Sequence, residues 1–121
     1  MFYRRLLISL AAGGFLVGGA FAQSGLVEVR DNVMVEAFAA VADRIDDWDV
    51  YDPSGKEIGE VEEVVGPDRD TASALVVDFD DDSAYPDRDV VIPLSEFVYE
   101  NGRLTLKATP EAVSGMEIWR D

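Results

Sequence analysis

Twenty-five carboxylates, with neither a histidine nor a cysteine, set the chemistry open to this 121-residue chain. The absence of both residue types removes the usual general bases and nucleophiles, along with most zinc, copper and haem ligand sets. Serine hydrolysis through histidine is excluded. A serine–lysine pair needs a desolvated lysine, but Lys56 falls in a turn and Lys107 on the polar face of a hairpin. No G-x-S-x-G, Walker or G-x-G-x-x-G pattern is present. Carboxylate pairs are so abundant that chance proximity accounts for any one of them as an acid–base pair. The residues therefore predict a non-catalytic protein without a cofactor.

Binding of a hard cation is the chemistry that remains. Asp78, Asp80, Asp81 and Asp82 offer oxygen ligands close together in the chain. They do not belong to an EF-hand loop. With Gly55 as the central glycine of such a loop, Val50 and Val61 stand where carboxylates are required. The Asp78–Asp82 run also lacks the ligand spacing, so these four are weak metal candidates beside the simpler reading of a solvated acidic face.

The elements that would position these groups are strands. Residues 48–65, WDVYDPSGKEIGEVEEVV, read as two strands reversing across Asp52-Pro53-Ser54-Gly55. Pro53 presets φ for the turn, Asp52 accepts local backbone bonds, and Gly55 tolerates positive φ. Ile58, Val61, Val64 and Val65 suit a half-buried pleated surface. Gly59 within that strand predicts a bulge or a close backbone approach. The three-residue step from Val61 to Val64 predicts a bulge as well, because residues three apart in a regular strand face opposite sides.

More sheet follows. Residues 72–80 form a strand with Leu75, Val77 and Phe79 facing the core, and Ala74, Val76, Asp78 and Asp80 facing away. Residues 89–94 form the next strand, and Pro93, which cannot donate to a ladder, marks an edge or an exit from the sheet. Asn101-Gly102 is the preferred pair for a two-residue type I′ hairpin. It sets Glu100 opposite Arg103 as an ion pair, Tyr99 opposite Leu104 and Phe97 opposite Leu106. Thr109 and Pro110 suit the cap and first position of a short helix that stops at Gly115, after which Met116, Ile118 and Trp119 cover an open end of the barrel.

Before residue 48 two patterns compete. Met34, Phe38, Val41, Ile45 and Trp48 recur at helical spacing, whereas Leu26–Val29 and Val33–Val35 have strand composition. The expectation is extended chain to about Phe38 and a helical turn over residues 41–46, with the apolar side chains packed on the barrel rather than free for docking.

Asp49-Val50-Tyr51-Asp52 followed by Gly55-Lys56-Glu57-Ile58-Gly59-Glu60-Val61 resembles the G-K-x-I-G-x-V opening of the PRC-barrel family. The apolar run 74–77, Val91-Ile92-Pro93, Leu104-Thr105-Leu106 and Thr109-Pro110-Glu111 follow in the family's order. The resemblance implies an all-β fold, a small PRC-type barrel with short helical turns before its first strand and near the C-terminus. Gly55, Ile58, Gly59, Val61, Pro93, Asn101 and Gly102 define it. The resemblance also implies a module that docks onto another macromolecule, as in a ribosome-maturation factor that binds a ribosomal protein. The chain departs from the family where residues 81–89 replace a glycine-rich apolar segment with aspartates.

Residues 1–22 read as a signal peptide. Arg4 and Arg5 precede an apolar segment over residues 6–17, and Ala20-Phe21-Ala22 fits the cleavage pattern. An uncleaved anchor is the alternative, and both place the body outside the cytoplasm, periplasmic or secreted. After cleavage no membrane insertion remains. The domains expected are thus a signal over 1–22, a lead-in over 23–44, the barrel over 45–116 and a tail over 117–121. Cleavage takes away two arginines and no acid, which lowers the formal charge from −15 to −17. Such acidity repels nucleic acid and favours a basic protein partner. The contact edge expected is the acidic loop, through Asp80, Asp81, Asp82, Tyr85, Asp87 and Asp89. The alternative function is that of an acidic divalent-cation-binding or envelope-stress protein.

Overall fold

The computed structural model describes residues 25–120, so the expected signal segment and its cleavage point lie outside the described residues. The elements in chain order are β1 (Val27–Glu28), β2 (Met34–Val35), β3 (Ala40–Val41), α1 (Ala42–Ile45), β4 (Asp49–Tyr51) and β5 (Glu57–Gly66). They continue as β6 (Ala74–Phe79), β7 (Asp89–Pro93), β8 (Phe97–Glu100), β9 (Arg103–Leu106) and α2 (Pro110–Ser114). The fold is all-β with short helical turns at the two expected places.

The ten-residue β5 is the spine. One edge pairs antiparallel with β6 along its length, and the other is shared by β4 at its start and β1 at its end. The order β7-β6-β5-β4-β9-β8 curls the sheet into a barrel that is not closed by pairing of its end strands. Parallel pairing of β4 with β9, Val50 opposite Leu104, lays the Asn101-Gly102 hairpin beside the first one.

Local chemistry explains the turns. The Asp52 carboxylate accepts from the Ser54 amide at 2.9 Å, the Ser54 hydroxyl at 2.6 Å and the Lys56 amide at 3.0 Å. Gly55 supplies φ +93. Gly59 lies against β6 so closely that a Cβ there would sit 2.4 Å from the Asp78 carbonyl oxygen, which is the expected close approach. The register with β6 shifts between Val61 and Glu63, the expected bulge, and this keeps Val61 and Val64 both in the core. Asn101 at φ 54 and Gly102 at φ 75 build the hairpin, with Glu100 opposite Arg103 and Phe97 opposite Leu106 as expected. The ion pair is replaced by another contact: the Arg103 guanidinium lies over the Tyr51 ring, 4.3 Å from its centroid. At such an exposed position a ring face and a carboxylate hold a guanidinium about equally well, so the neighbour that β4 supplies decides the contact.

The main core contains Val50, Ile58, Val61, Leu75, Val77, Phe79, Ile92, Leu104 and Leu106, each 2% exposed or less. Burying such a side chain contributes roughly 1.5–3 kcal/mol. The face expected to point outward from β6 is also covered. Val65, Ala74, Val76 and Val91 form a second buried cluster on which Leu26 and Trp119 pack. The tail after α2 makes that cover: the Val91 amide donates to the Glu117 carbonyl, and the Trp119 amide to the Asp89 carbonyl. Of the residues expected to close the barrel end, Met116 does pack on the main core. Ile118 instead bridges to Val90 along the outer edge of β7. The tail thereby occupies an edge that would otherwise be open to foreign strands.

Candidate docking surface

The lead-in before β4 divides its residues between core and surface. Val35, Phe38, Ala42 and Ile45 are buried, in line with packing on the barrel, but Met34 is 48% exposed. The β2–β3 hairpin and the turn between them hold Phe38 against three aromatic rings, those of Trp48, Phe97 and Tyr99, with centroids 6.1–6.4 Å away. Trp48 and Tyr99 stack on each other at 4.4 Å.

Two depressions meet at that stack. A groove of about 630 Å³ is lined by Met34, Phe38, Val41, Arg44, Trp48 and Tyr99. A cleft of about 250 Å³ is lined by Asp47, Trp48, Asp49, Tyr51, Tyr99 and Gly102. Asp47 stands at φ 74, a left-handed conformation, in the turn that leads from α1 into β4.

Carboxylates gather on both sides. The exposed Glu57 carboxyl is held above its ordinary range by Asp49 first, then by partial desolvation and by Asp80, Glu60 and Asp82. The acidic loop therefore returns to β4 and β5, where the Lys56 ammonium also donates to the Asp82 carbonyl at 3.4 Å. On the other side Asp46 is pushed up to about 6, by burial first and then by Glu28, Asp31, Asp47 and Asp43.

The sequence-derived candidates are placed unevenly. Asp80, Asp81, Asp82 and Asp87 lie on the surface, with Asp80 half-buried. Tyr85 is buried, its ring stacked on Phe79 at 5.0 Å and its hydroxyl donating to the Ala108 carbonyl at 3.0 Å. It anchors the loop from inside, and of the residues expected at a contact edge it is the one turned away from solvent. Asp89 belongs to β7 opposite Asp78. Among the described residues, Asp78 comes together with Glu62 and Asp89 within 4.8 Å, rather than with Asp80, Asp81 and Asp82. A second such group joins Asp31, Asp43 and Asp46. The end of β6 at Phe79 explains the split, since Asp80 has already left the strand, whereas Asp78 and Asp89 are cross-strand neighbours. The contributions of Trp48, Tyr99, Asp47 and Glu57 were missed, and the available signal was an aromatic flanked by aspartates, Asp46-Asp47-Trp48-Asp49.

No helix among the described residues is long and apolar enough to cross a membrane. No curated protein matches the chain. The sequence pattern of the PRC-barrel domain matches residues 41–113. That match spans more than half of the sequence, from α1 through the two hairpins to α2, and with the curled sheet it establishes that the chain belongs to the PRC-barrel family.

Proposed function

We propose that this PRC-barrel is a non-catalytic docking module that binds a basic protein partner outside the cytoplasm. The observation that carries this reading is the gathering of acidic residues about Glu57: Asp49 stands opposite Glu60 across β4 and β5, the Asp80 amide donates to the Ile58 carbonyl, and the Lys56 ammonium donates to the Asp82 carbonyl. Like charges gathered on one face repel one another, and a cationic surface relieves that repulsion on binding while steering the encounter. The same acidity disfavours nucleic acid. Export rests on Arg4, Arg5, the apolar segment over residues 6–17 and Ala20-Phe21-Ala22.

Crosslinking a C-terminally tagged chain in intact cells, with a tag-only control, tests the reading. The expected result is a discrete periplasmic partner that is lost when Glu57→Gln is combined with Asp80→Asn, Asp81→Asn and Asp82→Asn. Background proteins alone, the same for both versions, would sink it.

A second reading, divalent-cation binding, draws on the group formed by Glu62, Asp78 and Asp89. It requires calcium to raise the melting temperature more than matched ionic strength does.

A further inference from the structure

Of the surface features, the pair of depressions around Trp48 has the most defined chemistry. The cleft combines two carboxylates, Asp47 and Asp49, with the rings of Trp48, Tyr51 and Tyr99. The adjoining groove sets the apolar side chains of Met34, Phe38 and Val41 beside Arg44 and the Trp48 and Tyr99 rings. Aromatic rings beside carboxylates suit a cationic side chain, because the ring quadrupole and the full negative charges attract it together. Tyr51 already carries the Arg103 guanidinium at 4.3 Å, which leaves Trp48 and Tyr99, with Asp47 and Asp49, to meet an incoming cation. In the groove, Arg44 opposes a second cation, and the exposed Met34 offers a pliable apolar contact.

We propose that the cleft takes an arginine or lysine side chain of the partner, and that the groove takes the apolar residue next to it. The occupant is thus a segment of a partner protein in which basic and large apolar residues adjoin. This deepens the docking reading and rests on it: the acidic patch around Glu57 attracts the partner, and the Trp48 cleft selects which segment is seated. The stacked Trp48 and Tyr99 separate the two depressions and fix their spacing.

The test is an NMR titration of isotope-labelled protein with the peptide acetyl-Leu-Arg-Leu-Arg-Leu-amide, followed at the two indole N–H signals. Trp119 serves as the internal reference, because its indole donates to Glu63 at 3.0 Å on the other face of the sheet. The expected result is a saturable shift of the Trp48 signal with that of Trp119 unmoved. Replacing arginine by the neutral isostere citrulline weakens binding by at least about tenfold. Asp47→Asn combined with Asp49→Asn does the same, and because both side chains are exposed this variant folds even where Trp48→Ala does not. Equal binding of the citrulline peptide, or shifts confined to residues 80–82, would overturn the proposal. Partner capture in cells that survives the Asp47, Asp49 double variant overturns this inference and leaves the docking reading standing, whereas failure of the native chain to capture a partner removes the docking reading itself.

Discussion

The Trp48 and Tyr99 rings stack at 4.4 Å between centroids, with 9° between their planes. Trp48 leads into β4 and Tyr99 sits in β8, so the contact ties the lead-in to the far hairpin across β9. Tyr99→Phe preserves the stack and leaves stability nearly unchanged. Tyr99→Ala costs about 1–2 kcal/mol. Chemical denaturation gives the difference, and a red shift of Trp48 emission accompanies the alanine variant alone.

Gly59 tests the close approach of β5 to β6. An alanine Cβ would meet the backbone oxygen of Asp78 at 2.4 Å, and backbone gives way only by moving the strand. Gly59→Ala lowers the stability by about 2–3 kcal/mol, read as a fall in denaturation midpoint at unchanged slope.

Tyr85 separates anchoring from docking. Tyr85→Phe leaves the Ala108 carbonyl without its hydroxyl donor and costs about 1–2 kcal/mol. Because the ring is buried, partner capture is unaffected at temperatures where the variant stays folded.

Asp46 gives the fold a pH dependence. Its carboxyl is raised to about 6 in the folded chain from an ordinary value of 3.8, so the folded state holds a proton that the unfolded state has released. Stability from this group is therefore intact below about 3.8 and declines as the pH rises towards 6, the reverse of a salt-bridged aspartate. Asp46→Asn removes the penalty. After allowance for solvent screening at a half-buried site the gain is about 1 kcal/mol, a few degrees in Tm, at pH 7 and none at pH 4. Thermal melts of both proteins across that range check it.

Those features of the fold that depend on neighbours in the chain were legible. Asn101-Gly102 fixed the β8–β9 register because a two-residue turn leaves no slack, and Gly59 marked a contact that only a missing side chain permits. The Val61 to Val64 step announced its bulge. Contacts between distant residues were not legible. Ala74 and Val76 alternate with core residues and so look solvent-facing, until the tail brings Trp119 over them. Tyr85 sits in a polar loop, and nothing local turns it inward. Parallel pairing of β4 with β9 put Arg103 over Tyr51, although the hairpin alone set it beside Glu100. For the candidate site, the acidic loop was visible from composition, while the Trp48 cleft required the sheet to curl β8 back towards β4.

Charge-steered docking on the face around Glu57, as proposed, is read from the affinity of the chain for its captured partner at about 0.05 M and about 0.5 M salt, where screening of exposed charges differs several-fold in range. Binding that weakens at least about tenfold across that interval, with the dependence flattened by Glu57→Gln, Asp80→Asn and Asp82→Asn together, is the expected result. Affinity independent of salt, or a slope unchanged in that variant, would contradict the account.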